Sequence, residues 1–190
     1  MNRPIEPLIV QCWDHLIRAL HDKKHPYRLA VVSGLDASGR PRGRTVVLRQ
    51  ADRGSATLSL YTDVRTAKIA GLEHNNWLCW TFWHPRQNLQ TIASGPSEII
   101  AATDSRPYFD QLAECNWKDY ASPIAPGGAL VDSTPTAVDP AIIEARARHN
   151  FRIIRTQLQE MDILRLDRAG HERMIAKRVG SAWETQTVQS

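Results

Sequence analysis

Arg44-Thr45-Val46-Val47-Leu48-Arg49 sets two guanidinium groups at the ends of an apolar, β-branched run, and this stretch decides the fold class. Such a run favours a strand. Residues on a strand alternate faces, so Arg44, Val46 and Leu48 point one way while Thr45, Val47 and Arg49 point the other. Two more polar clusters follow on later strands. Leu60-Tyr61-Thr62-Asp63-Val64-Arg65-Thr66-Ala67-Lys68 ends a strand in hydroxyls and cations and runs straight into a helix. Arg86-Gln87-Asn88-Leu89-Gln90-Thr91-Ile92-Ala93-Ser94-Gly95 opens another strand with polar groups. Together the clusters supply guanidinium and ammonium groups, hydroxyls and an amide, the inventory that holds a phosphate and a polar heterocycle.

Working outward, residues 7–20 carry Ile9, Trp13, Leu16, Ile17 and Leu20 at near-helical spacing. Residues 27–34 read as a strand, and Asp36-Ala37-Ser38-Gly39 is turn chemistry for a hairpin into residues 42–50. Asp52-Arg53-Gly54-Ser55 turns into a strand over 56–62, and residues 67–75 predict a short helix. Strands over 77–83 and 87–100 follow, joined through His84-Pro85-Arg86. Five strands linked mostly by short hairpins predict a small antiparallel barrel with flanking helices. Beyond Ala102 the pattern changes: residues 107–120 have helical character, and 121–140 read as a Pro/Gly/Ser/Ala-rich loop or arm. A helix is predicted over 141–159 with Pro140 near its start, then a hairpin of 161–166 with 172–178. The chain is expected to form one domain over 1–190, with its barrel core at about 27–102 and a helical arm and C-terminal hairpin at about 103–190.

Length and composition narrow the classes. A chain of 190 residues can bury a sizeable core. No apolar run approaches the ~18 residues of a spanning helix, so no membrane partner is expected. Met1-Asn2-Arg3-Pro4-Ile5-Glu6-Pro7 lacks the apolar centre of a secretory signal. Cys12, Cys79 and Cys115 are odd in number and widely spaced, which suggests neither a disulfide framework nor a metal site. A cytoplasmic setting is expected. The formal net charge of +4 admits nucleic acid as a partner. The cations are dispersed, however, and several fall where a phosphorylated cofactor would sit, so nucleic acid is the minor alternative. No Walker A loop or GxGxxG motif occurs.

The three clusters, in order and in separation, resemble the FMN-binding split barrels related to pyridoxamine 5'-phosphate oxidase. The matching segments are Arg44-Thr45-Val46-Val47-Leu48-Arg49, Leu60-Tyr61-Thr62, Thr66-Ala67-Lys68 and Arg86-Gln87. A weaker likeness runs from about Trp13 to the C-terminus, including His171-Glu172-Arg173-Met174 and Ala182-Trp183. The resemblance implies an antiparallel, mainly β split barrel and FMN held by Arg44, Thr45, Val46, Val47, Leu48, Arg49, Tyr61, Thr62, Thr66, Lys68, Gln87 and Arg173. It places Arg44 and Lys68 near the phosphate and Arg49 near the flavin ring. Arg49 and His171 are the implied catalytic residues. Lys118 and Ser122, matching the spacing of a phosphate-binding pair, join His171 as implied substrate contacts.

The family pattern also implies a homodimer with FMN at the interface, a small-molecule substrate and an oxidoreductase activity. Two departures stand out. Ala67 replaces a phosphate-binding cation, with Arg65 as a displaced candidate. Ala169 replaces the Arg that grips substrate beside the His. The cofactor half of the pattern is therefore kept and the substrate half is degraded, which favours an FMN-dependent oxidoreductase with a different substrate. A genuine pyridoxamine/pyridoxine 5'-phosphate oxidase and a non-catalytic flavin-binding module are the alternatives.

Overall fold

Asp36 closes the first hairpin. Its carboxylate accepts from the backbone N–H of Ser38 and Arg40 at 2.9 and 3.0 Å, while Gly39 turns the chain at φ 77°. On either side run β1 (Leu29–Leu35) and β2 (Pro41–Val47), antiparallel. The computed structural model describes residues 7–113, 117–129 and 139–189. The first helix, α1 (Leu8–His21), buries Leu8, Cys12, Trp13, Leu16 and Ala19, one stripe at helical spacing. A single 3₁₀ turn, Pro26–Arg28, leads from it into β1.

The remaining elements are β3 (Gln50–Asp52), β4 (Thr57–Asp63), α2 (Ala67–His74), β5 (Trp77–His84), β6 (Leu89–Ile99), α3 (Ala102–Asp110), α4 (Pro140–Asn150), β7 (Phe151–Gln157), β8 (Glu160–Arg165), β9 (Glu172–Val179) and β10 (Ala182–Val188). All ladders are antiparallel, and the main path runs β10-β9-β8-β6-β5-β1-β2. β6 changes partner along its length: Leu89–Ser94 pair with β8, whereas Ser97–Ile99 pair with β7. β7 in turn pairs with β4, and β4 with β3. This change of partner bends the sheet into a split barrel around one core that includes Trp13, Tyr27, Leu58, Trp80 and Phe82. A smaller cluster around Phe109, Phe151 and Ile153 packs under α3 and α4.

Most strands over the first hundred residues form where alternation predicts them, and four expectations need correction. The helix over 141–159 stops at Asn150: Asp139 accepts from the Ala141 N–H at 2.8 Å to start α4, but Phe151, Ile153, Ile154 and Thr156 are buried in a strand. β-branched residues in a ladder with β4 outweigh the local helical spacing there. The strand over 42–50 breaks after Val47, because the Leu48 N–H donates to Arg28 O and the Arg49 N–H to Ser59 O. The helical character over 107–120 begins earlier, with α3, and returns as a 3₁₀ turn at Lys118–Tyr120. Ten strands form among the described residues, β10 being unread in the sequence. The loop over 121–140 is irregular through 129; residues 130–138, and 114–116 of the preceding segment, lie outside the described residues. No helix among the described residues is long and apolar enough to cross a membrane.

Candidate functional site

β4 ends in Asp63, whose carboxylate accepts from the Arg65 backbone N–H at 2.8 Å and from its guanidinium at 3.0 and 2.6 Å. This local loop sets the start of α2. Thr66 stands at the N-cap without capping by its side chain; its hydroxyl lies 3.3 Å from that of Thr62 instead. The Thr66 and Ile69 N–H groups donate to Asp63 O and Thr66 O at 3.1 and 2.9 Å, which leaves those of Ala67 and Lys68 for an anion. One position into α2, Lys68 Nζ donates to Thr62 Oγ1 at 3.3 Å. Lys68 lines a narrow crevice with Arg44, Val32, Leu72 and Leu78. Burial, and then the adjacent Arg44 charge, push the Lys68 ammonium down to about 8.

Two cations thus share one crevice with Asn75 and several apolar side chains, and among the described residues no carboxylate lines it. Such an arrangement calls for an anion. Arg65 does not add to the pair: its guanidinium is held by Asp63 and also donates to the carbonyls of Ser122 and Pro123 at 3.0 and 3.4 Å. Within the chain, Arg65 therefore does not take the place of the cation missing at Ala67.

Of the other residues on the Arg44 strand, Leu48 is fully buried, Val46 packs against the core, and Thr45 is exposed. Val47 pairs with Leu29. Arg49 lies with its guanidinium carbon 5.2 Å from the centre of the Tyr61 ring. Tyr61 also packs edge-on against Phe151 at 5.0 Å. Burial pushes the Tyr61 phenol up, and the Arg49 charge partly offsets this. Arg28, which the motifs do not include, donates to the carbonyls of Ala19, Leu20 and Leu48 at 3.4, 3.5 and 3.2 Å.

Gln87 sits elsewhere. Arg44 and Lys68 meet the start of β5 at Leu78, and Gln87 follows the end of β5 at His84. Six strand steps, about 20 Å, separate those ends. Gln87 Oε1 lies 2.7 Å from His15 Nε2, and His15 Nδ1 lies 3.2 Å from His25 Nε2. His25 Nδ1 accepts from the Tyr27 N–H at 3.1 Å. The bonds set the protons: His25 donates through Nε2, His15 accepts at Nδ1 and donates through Nε2, and Gln87 turns its NH₂ outward. His84 closes the group, 4.6 Å from His15 between ring centres. Desolvation lowers all three imidazoles, His25 to about 4. The sequence hides this cluster, because His84 lies some sixty residues or more beyond His15 and His25 and joins them only in the fold.

The C-terminal residues do not join the crevice either. Arg173 on β9 bonds Asp162 at 3.0 and 2.6 Å, and β9 lies five strand spacings from β2, about 24 Å along the sheet. His171 Nδ1 accepts from the Asp167 N–H at 3.2 Å in an exposed turn. Ser122 Oγ donates to Ile124 O at 2.9 Å, and Lys118 lies in the 3₁₀ turn beside it. Within one chain, Arg44, Thr62, Thr66 and Lys68 come together; Gln87, His171 and Arg173 do not reach them.

Comparison with known proteins bears on the fold and on the segment that carries the polar clusters. Residues 10–101 match the family described as "Pyridoxamine 5'-phosphate oxidase, FMN-binding domain". Over 79 residues the chain is 32% identical to the pyridoxine/pyridoxamine 5'-phosphate oxidase of Vibrio atlanticus (strain LGP32), covering 41% of this chain and 36% of that protein. Over 88 residues it is 33% identical to the enzyme of the same name from Streptomyces avermitilis, covering 43% and 38%. The chain thus matches little more than a third of the length of these curated relatives. Among solved structures, a pyridoxamine 5'-phosphate oxidase-related, FMN-binding protein of Nostoc punctiforme PCC 73102 superposes with a TM-score of 0.75 at 19% identity, covering 99% of this chain and 100% of that one. PhzG from Burkholderia lata 383, in complex with tetrahydrophenazine-1-carboxylic acid, superposes at 0.70 with 16% identity over 98% and 94%. At those identities the superpositions speak for the fold, and the matched segment holds all three polar clusters. Residues 10–101 thus match the FMN-binding domain of the pyridoxamine 5'-phosphate oxidase family, and the chain as a whole shares the fold of the split barrels related to it.

Proposed function

We propose that the chain binds FMN and works as an FMN-dependent oxidoreductase on a small molecule other than pyridoxamine 5'-phosphate. The observation that carries the reading is the Arg44–Lys68 pair, two cations in one crevice with the open start of α2 beside them. A terminal phosphate satisfies both charges and the N–H groups at once. Thr62 and Thr66 add hydroxyls to that site. In this reading Arg49, whose guanidinium lies over Tyr61, serves the ring end, where a permanent positive charge stabilises negative charge on the cofactor. The chemistry a bound flavin supplies is two-electron transfer to and from the substrate, so the protein's part is binding, orientation and electrostatics.

Gln87 and Arg173 contribute from a second copy in this reading, since neither reaches the crevice in its own chain. The outward face of β1 and β5 supports a homodimer: Leu29, Val31, Trp77 and Trp83 are all exposed there. The substrate differs because Ala169, in the turn after β8, offers no guanidinium beside His171. Cys12 and Cys79 are free thiols, in keeping with a cytoplasmic setting.

A fluorescence-quenching titration with FMN and riboflavin tests the phosphate site. FMN is expected to bind more tightly, and Arg44→Ala and Lys68→Ala are each expected to lose about 1.5–3 kcal/mol for FMN but little for riboflavin. Equal affinity for the two flavins, unchanged in both variants, would overturn the assignment.

A further inference from the structure

His15, His25 and His84 are each only 7% exposed, although three imidazoles in one place are costly to bury. They come from α1, from the cap of the 3₁₀ turn and from the end of β5. One ligand nitrogen of each lies within 4.8 Å of the others. The set contains no carboxylate and no thiol. His84 Nδ1 is buried without a hydrogen-bond partner. The group opens onto a cleft of about 610 Å³ that Arg18, Asp22, Lys24 and Arg86 also line.

We propose that His15, His25 and His84 form a binding site for a divalent transition-metal ion of the zinc, copper or nickel class. Neutral imidazoles suit these ions and do not suit magnesium or calcium. The 3.2 Å between His15 Nδ1 and His25 Nε2 is close to the separation of two nitrogens on one tetrahedral zinc, about 3.4 Å from its metal–nitrogen length. His15 already holds the tautomer a ligand needs, with its Nδ1 lone pair facing the site. Its Nε2–H donates to Gln87, the outer-shell acceptor that fixes a ligating ring. His84 brings an unengaged nitrogen. Only His25 must change: its proton moves from Nε2 to Nδ1, and the bond from the Tyr27 N–H opens. The cleft leaves the fourth position to water or a small anion, which the three cations around it favour. Packing makes the site rigid, since Tyr27 stacks on Phe82 at 5.0 Å and bonds Thr91 at 2.7 Å.

Within one chain the site stands apart from the Arg44–Lys68 crevice, and it shares with the flavin reading only Gln87, whose Oε1 is taken by His15. Metal-stripped protein, its flavin content measured separately, is titrated with Zn²⁺ against a chromophoric chelator and with Co²⁺ followed by visible absorption. One ion per chain at micromolar affinity or tighter is expected, with the absorption of tetrahedral cobalt. His84→Ala and His25→Asn are expected to weaken binding by roughly a hundredfold while circular dichroism stays unchanged. Should either variant fail to fold, ring-nitrogen NMR of the wild type decides. Zn²⁺ should then shift His15 Nδ1, His25 Nε2 and the Tyr27 amide together. No saturable binding of Zn²⁺, Cu²⁺ or Ni²⁺ to the folded protein, or binding that leaves those two rings and the Tyr27 amide unshifted, would overturn the proposal.

Discussion

At the scale of single residues, Lys68 is the informative group. An ammonium held down to about 8 from 10.5 by burial and by Arg44 is in a place built for charge it does not itself neutralise. The sign of the resulting pH effects follows. Between pH 8 and 10.5 the unfolded chain carries the proton at Lys68 and the folded chain does not, so stability without ligand rises with pH across that window. The gain is at most roughly 3 kcal/mol. A bound phosphate favours the ammonium and reverses the preference. FMN affinity is therefore expected to be flat below pH 8 and to fall as pH rises above it, by up to tenfold per unit, while riboflavin affinity stays level. Lys68→Arg keeps the charge and should flatten the FMN profile. Isothermal titration across pH 7 to 10 measures this directly, and identical FMN and riboflavin profiles would separate Lys68 from the phosphate.

At the scale of elements, β6 carries the architecture. Gly95 lies at the point where β6 leaves β8 and before it joins β7. A Cβ there would stand 1.9 Å from Gln157 O and 2.9 Å from its carbonyl carbon, both backbone atoms that cannot swing aside. Gly95→Ala is accordingly expected to cost about 3 kcal/mol or more, whereas Ser94→Ala beside it should cost far less. Urea denaturation of the two variants measures the difference. Most elements up to β6 are legible in the sequence because their strands alternate and their hairpins carry their own turn chemistry, the short β3 after the break at Leu48 being the exception. The α4–β7 boundary is not, since Ile153 and Ile154 satisfy a helical spacing as well as a buried ladder. β10 is mostly exposed and shows no alternation to read. Among the site residues, Arg44, Thr62, Thr66 and Lys68 are legible through adjacent strand and helix ends. The pairing of Gln87 with His15 arises only when α1 packs over the end of β5, a long-range contact no local pattern encodes.

At the scale of the molecule, the outward face of β1 and β5 is the feature a lone chain does not explain. Val31 pairs with Thr45 on one side and Thr81 on the other, and Trp77 and Trp83 stand on the same side of β5. Val31, Trp77 and Trp83 remain 44%, 46% and 43% exposed. Large apolar side chains left exposed together on one sheet face point to an interaction surface. In the proposed reading its occupant is a second copy, because the chain's own Gln87 and Arg173 lie about 20 Å or more from the phosphate crevice along the sheet. The face and the incomplete site then answer each other: burying that face by a two-fold operation makes two equal contacts and two equal sites. Val31→Glu combined with Trp83→Glu places charge in that contact without touching the inner face. Sedimentation velocity is expected to give a dimer for the wild type and a monomer for the double variant. The monomer should keep its far-ultraviolet circular dichroism yet bind FMN at least roughly tenfold more weakly, about 1.4 kcal/mol, because the flavin ring then lacks the second copy's Gln87 and Arg173 while the phosphate keeps Arg44 and Lys68. A monomeric variant that holds FMN as tightly as the wild type would mean that one chain forms the whole flavin site, and a variant that stays dimeric would place the interface on another face.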